Sequence, residues 1–95
     1  MKITALKIGV MGGATGVIPM EHREKAREIG REIARNGCVL ITGACPGLPL
    51  AAACGAKEQN GLVIGISPGL SIDEHISKYK SPTECHDVLI SQAAA

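Results

Sequence analysis

Three features of this 95-residue sequence predict an α/β fold organised on a parallel sheet. Short aliphatic runs rich in Val and Ile alternate with longer stretches of helical period. Those runs are apolar almost without interruption, as strands covered on both faces are. The first two each end in a glycine-containing turn that opens into a helix. Strand–helix alternation of this kind implies right-handed crossovers and a sheet of about four strands.

The first strand is read over residues 3–11 and is strongest from residue 6 onward. It leads into Gly12, Gly13, Ala14, Thr15 and Gly16. This turn lacks the G-x-G-x-x-G dinucleotide spacing. The first helix is read over residues 19–36. Pro19 suits its first turn, Glu21 and Glu24 favour its positive end, and Gly37 is a suitable stop. Ala26, Ile29, Gly30, Ile33 and Ala34 recur at helical spacing and form the expected buried stripe. Gly30 costs about 1 kcal/mol against Ala in a helix interior. Close approach of the helix to the sheet would explain it. His22 falls near the helix N-terminus on roughly that stripe, at the end that faces the ligand crevice of an open α/β sheet. It reads as a ligand contact or, more commonly, as an ordinary partly buried histidine.

The centre of the chain is CVLITGACPGLPLAAACGA, residues 38–56. It reads as a strand over 38–42, a turn over 43–47 and a helix opening at Leu48. Gly43 and Gly47 permit backbone conformations closed to other residues, or the close approach of a ligand. Pro46 sets one φ in the turn, and Pro49 suits a first helical turn. Ala51, Ala52, Ala53, Gly55 and Ala56 make a helix with little side-chain bulk, able to lie very close to a sheet. Its first N–H groups and its dipole form a natural anion seat. A tight connection that binds nothing has the same local pattern. Asn60 and Gly61 end the helix. The third strand covers 62–66, and Ser67, Pro68 and Gly69 break it. Ser71 and Glu74 have capping-box spacing, so a short helix is expected over 72–78. Asp73, Glu74 and His75 then serve capping and solvation rather than catalysis. A loop through Pro82 leads to a fourth strand over 87–91, and Gln92 and three alanines follow.

Composition narrows the function classes. Tyr79 is the only aromatic residue, so the core is aliphatic. The net charge of +1 argues against binding dominated by attraction to nucleic acid or membrane. The basic residues of 21–35 alternate with acids, as on a solvated helix face. No stretch approaches the length of a membrane span, and no signal peptide is visible. The four cysteines have no C-x-x-C spacing, and Cys45, Cys54, Cys85 and His86 match no common zinc finger. Reduced thiols, a cytoplasmic location and no metal site are expected.

The order of these pieces resembles a family: the Rossmann-like "Lonely guy" or lysine-decarboxylase-like proteins, which include cytokinin-activating phosphoribohydrolases. Molybdenum-cofactor carriers and the DNA-processing protein A group share the superfamily. The matching residues are IGVMGG (8–13), REIGREIARNG (27–37), VLITGACPGLPLAAACGAKEQNGLVIGISP (39–68), and the later His75 and Pro82. The family's middle block reads T-G-G-x-x-G-L-M-x-A-A-x-x-G-A, then a glycine, an aliphatic strand and I-G-I-x-P. The resemblance implies one incomplete, nucleotide-binding Rossmann-like domain over residues 1–95. Gly12 and Gly13 would form a first nucleotide loop, and Gly43, Ala44, Gly47 and Leu48 a second. Ala44 replaces a frequent Gly, and Pro49 a frequent Met. The family's P-G-G-x-G-T-x-x-E signature, with its upstream Arg, lies beyond the fourth strand and does not occur in these 95 residues. By this resemblance the chain looks like an N-terminal half, and no residue in it is expected to be a credible catalyst for the family's N-glycosidic hydrolysis. In the family's strand order the first strand is central, between the second and the fourth. A half-domain would leave the fourth strand as an open edge and one face uncovered, favouring a homo-oligomer or a complementing chain.

Four functional readings follow from the resemblance. The first is binding of a small phosphorylated ligand such as a nucleoside monophosphate, with phosphoribohydrolase chemistry only in longer relatives. The second is a carrier of molybdenum cofactor, a pterin phosphate. Single-stranded DNA binding is the third, disfavoured by one aromatic residue and a charge of +1. The fourth is a structural unit with no ligand.

Overall fold

A computed structural model of the chain describes residues 5–13, 16–67 and 84–91. The expected helix over 72–78, with Asp73, Glu74 and His75, lies outside the described residues. The strands are β1 (Lys7–Val10), β2 (Val39–Thr42), β3 (Val63–Ser67) and β4 (Val88–Ser91), and the helices are α1 (Met20–Arg35) and α2 (Leu48–Glu58). Expected and observed boundaries differ by a few residues at most for β2, β3, β4, α1 and α2. β1 is shorter than read.

The four strands form one parallel sheet in the order β1-β2-β3-β4. This corrects the expectation of a central first strand: among the described strands, β1 is at one edge and β4 pairs with β3. Asp87 supplies the reason. Its N–H donates to the Val63 carbonyl at 2.9 Å. Its carboxylate accepts the Val63 N–H at 2.8 Å and the Lys57 ammonium at 2.7 Å. Burial raises the Asp87 pKa, but these partners outweigh it and hold the carboxyl below its usual range. The first residue before β4 is thereby clamped to β3 and α2.

Both described helices pack on one face of the sheet. Strand alternation sends Leu40 and Val63 to that face, where they form the core with Ile33, Ala52, Ala53 and Ala56. Ile66, Val88 and Ile90 point the other way and stay 43–47% exposed.

The tightest packing is between the helices, not between helix and sheet. A Cβ on Gly30 would overlap the Ala52 carbonyl oxygen and stand 2.7 Å from its carbon. A Cβ on Gly55 would overlap the Arg27 carbonyl in the same way. The small residues of α2 therefore serve a helix crossing as well as the sheet. Within the expected stripe, Ala26, Gly30 and Ile33 are buried and Ala34 half-buried, but Ile29 is 53% exposed. It faces the outer side of β1, where it lines an apolar groove of about 570 Å³ with Leu6, Ile8 and Cys38. Glu58 ties the helices together by accepting hydrogen bonds from Arg27 and Arg31. Those bonds push its pKa down to about 2. Glu28 takes Arg31 and Arg35 in turn.

Candidate functional site

The candidate site is built at the carboxyl ends of β1 and β2. Past β1, Gly12 and Gly13 are exposed. Past β2, the turn carries Ala44 at φ 55 and Gly47 at φ 83, ψ −135. The Gly47 conformation is close to glycine-only. Ala44 is a fully buried non-glycine in the left-handed region, which explains why relatives in the resembled family prefer Gly there. Its N–H donates to Thr42 Oγ1 at 2.9 Å, a local bond that offsets the strain.

The two loops form one surface. The Leu48 N–H donates to the Gly13 carbonyl at 3.0 Å. A Cβ on Gly12 would sit 3.3 Å from the Leu48 side chain, tighter than most contacts. The α2 N-terminus consequently offers fewer donors than its sequence suggests. Leu48 is engaged, Pro49 has no N–H, and Ala51 donates to the Gly47 carbonyl at 3.0 Å. Leu50 keeps the one N–H of that turn with no backbone acceptor among the described residues. No acid stands in the first turn to neutralise the dipole.

Two cations flank this surface. Arg23 shares a groove of about 280 Å³ with Gly47, Leu50 and Cys54. Lys25 and His22 border a smaller cavity of about 220 Å³ with Met11 and Leu48. Neither Arg23 nor Lys25 enters an ion pair among the described residues. His22 is about half-exposed and lies 3.9 Å from Glu21, so it borders a cavity rather than filling the core. Arg23 and Lys25 were not legible as site residues, because a mixed-charge helix looks uniform in sequence. Only the packing separates the arginines held by Glu58 and Glu28 from the cations left over.

Beneath the second loop lies a polar relay. Nδ1 of His86 is 2.8 Å from the Glu84 carbonyl, which can only accept, so Nδ1 carries the proton. In the neutral ring Nε2 is then the acceptor of the Thr42 hydroxyl, 2.8 Å away. The Thr42 oxygen in turn receives the Ala44 N–H. Gly65 makes room for the ring: a Cβ there would stand 2.8 Å from His86 Cδ2 and 3.0 Å from the Ala44 methyl.

One expectation about the cysteines is overturned. Cys54 and Cys85 form a disulfide, with Cα atoms 5.0 Å apart, while Cys38 and Cys45 are free. Nothing local signals the bond, because its partners are 31 residues apart and meet only when the fold brings α2 to the segment that precedes β4. Among the described residues, no three metal-ligating side chains converge, and no helix is long and apolar enough to cross a membrane.

The sequence profile of the SLOG cluster4 family matches residues 5–92. The chain belongs to the SLOG cluster4 family. Its Rossmann-like sheet is shared with two solved proteins. The Moco carrier protein from Chlamydomonas reinhardtii is 31% identical with a TM-score of 0.76, over 92% of this chain and 49% of that one. The molybdenum cofactor binding protein from the phototrophic bacterium Rippkaea orientalis is 30% identical with a TM-score of 0.78, over 99% and 53%. An uncharacterized protein of Archaeoglobus fulgidus is 41% identical over 63 residues, 66% of this chain and 40% of that protein. This SLOG chain thus spans about half the length of the relatives it matches. The superfamily resemblance read from the glycine loops agrees with these relationships.

Proposed function

We propose that this SLOG chain binds a small phosphorylated ligand on the surface formed by Gly12, Gly13, Gly43, Ala44, Gly47 and Leu48. The bond from the Leu48 N–H to the Gly13 carbonyl carries the reading, because it joins both loops at one edge of the sheet. The Leu50 N–H and the α2 dipole supply favourable potential for a phosphate, and Arg23 and Lys25 supply charge. Binding, rather than hydrolysis, is the function assigned. Among the described residues, both His86 nitrogens are engaged beneath the loops, so this ring is not poised as an acid or base for a ligand.

Two ligand chemistries fit. A nucleoside monophosphate follows from the phosphoribohydrolase resemblance. A pterin phosphate of the molybdenum-cofactor type is favoured by the names of the two solved relatives, each about 30% identical. Single-stranded DNA is disfavoured, because Arg27, Arg31 and Arg35 are already paired with acids. The chain acts in the cytoplasm on this reading and associates with a second copy or a complementing chain. The exposed Ile66, Val88 and Ile90 and the groove beside β1 favour such association.

An amide-resolved titration with adenosine monophosphate and with a pterin phosphate tests the proposal. Saturable shifts at Gly12, Gly13, Gly47 and Leu50 are expected, with none from unphosphorylated adenosine. A well-dispersed spectrum that responds to neither phosphate refutes it. Sedimentation showing a sharply monomeric folded species refutes the association.

A further inference from the structure

The Cys54–Cys85 bridge lies next to the polar relay under the second glycine loop. Cys85 takes a left-handed φ of 61, unusual for a non-glycine. It stands between Glu84, whose carbonyl accepts Nδ1–H of His86, and His86 itself. His86 reaches the Thr42 hydroxyl, and Thr42 holds the Ala44 N–H. The chain of contacts from the disulfide to the ligand loop is therefore continuous. Both cysteines are only partly buried. Cys54 borders the groove that also contains Arg23 and Arg27. Glu24 lines the same groove, so its charge is mixed, but Arg23 enters no ion pair among the described residues and stands beside Cys54 as a cation for a carboxylate of a small disulfide.

We infer that Cys54 and Cys85 are an exchangeable dithiol–disulfide pair that reacts with small anionic disulfides of the glutathione class, and that its state is read at Ala44 through His86. The regulatory meaning of that coupling rests on the ligand-binding reading above. Exchange runs in two balanced steps. The Cys54 thiolate attacks one sulfur of the small disulfide and expels one small thiolate, leaving a mixed disulfide on Cys54. The Cys85 thiolate then attacks the Cys54 sulfur and expels the second. Both protons pass from the cysteines to the small thiols, so two thiols and one disulfide become one disulfide and two thiols. Disulfides in a reducing compartment are commonly transient or regulatory, which suits the expected cytoplasmic setting.

The coupling has a defined extent. Asp87 keeps β4 on β3 and Lys57 whatever the state of the bridge. Reduction therefore frees residues 84–86 rather than the strand. The Cys85 backbone is no longer held in its strained conformation. The Glu84 carbonyl leaves Nδ1, the His86 ring loses the partner that fixes its tautomer, and Thr42 and Ala44 loosen together.

The test equilibrates the full chain with glutathione disulfide or with dithiothreitol. It reads intact mass, alkylation sites and amide hydrogen exchange. Oxidation is expected to remove the mass of two hydrogens and leave only Cys38 and Cys45 open to alkylation. Exchange at Ala44 should be about five- to tenfold faster in the reduced protein, the size one lost hydrogen bond gives. The Ala34 amide in α1 should not change. His86→Ala should abolish the difference. Should that variant fail to fold, Cys85→Ser must show the reduced rate under both conditions. Alkylation of Cys54 and Cys85 after glutathione disulfide treatment overturns the inference, as does an Ala44 rate independent of redox state. Adenosine monophosphate binding is measured alongside. No binding in either state refutes the ligand reading and leaves the exchange result standing. Equal binding in both states removes the regulatory role.

Discussion

Gly30→Ala should destabilise the protein although alanine is the better helix former. At the crossing of α1 and α2, the added Cβ would stand 2.7 Å from the Ala52 carbonyl carbon and 3.0 Å from its Cα, overlapping the carbonyl oxygen. The obstacle is backbone, so no rotamer relieves it. Ordinary van der Waals contact requires the helices to part by roughly 1 Å, judged against carbon–carbon optima of about 3.5–4.0 Å. Overpacking of this kind costs typically 1–3 kcal/mol, and a backbone clash belongs at or above the upper end. Helix propensity returns about 1 kcal/mol. The net loss is about 2 kcal/mol, a large share of a small domain's stability. In a chain of this size it lowers Tm by roughly 8–16 °C. Urea and thermal unfolding followed by far-ultraviolet circular dichroism measure it directly. Gly9→Ala is the matched control, because nothing lies within 4 Å of its added Cβ. It should be neutral or stabilising by less than about 1 kcal/mol. A Gly30→Ala variant as stable as the parent would refute the close crossing, since propensity would then outweigh the clash.

Other outcomes follow from the same contacts. Reducing the Cys54–Cys85 bond, which spans 31 residues, should lower unfolding stability by about 3–4 kcal/mol if loop entropy dominates. Urea midpoints with and without reductant read this. The Glu58 carboxyl is held at about pKa 2, chiefly by its hydrogen bond with Arg27 and then that with Arg31, from an ordinary value of 4.5. Because the folded pKa is depressed, its contribution is fully present above the unfolded pKa and fades as pH falls from about 4.5 towards 2. Glu58→Gln should therefore be less stable than the parent at neutral pH and converge with it in acid, as pH-resolved urea titrations would show. Gly65→Ala pushes the His86 ring off Thr42 and should cost about 1–3 kcal/mol. Unchanged exchange at the Ala44 amide in that variant would mean that the relay does not hold the loop.

The local grammar of the chain was legible because it is written in nearest neighbours. The aliphatic runs of β2 and β3, the Pro49 entry to α2 and the Gly37 stop after α1 depend on residues a few positions apart. So did the placing of both glycine loops at one end of the sheet, which follows from strand–helix alternation. Even the excess of small residues was readable as close packing, although its object was not. Gly30 meets the backbone of Ala52 rather than the sheet, and only the crossing of two helices decides that. Ile29 has the spacing of a core residue, yet β1 is at the edge of the described sheet and leaves it exposed. The strand order turned on Asp87, whose partners Val63 and Lys57 lie 24 and 30 residues away. The Cys54–Cys85 bond and the His86–Thr42 contact, at separations of 31 and 44, are equally silent in any local window. Periodicity encodes which face a residue presents. Which distant group meets that face is decided by packing, and here packing brought the relay, the bridge and the unpaired cations together around the loops that the sequence had marked.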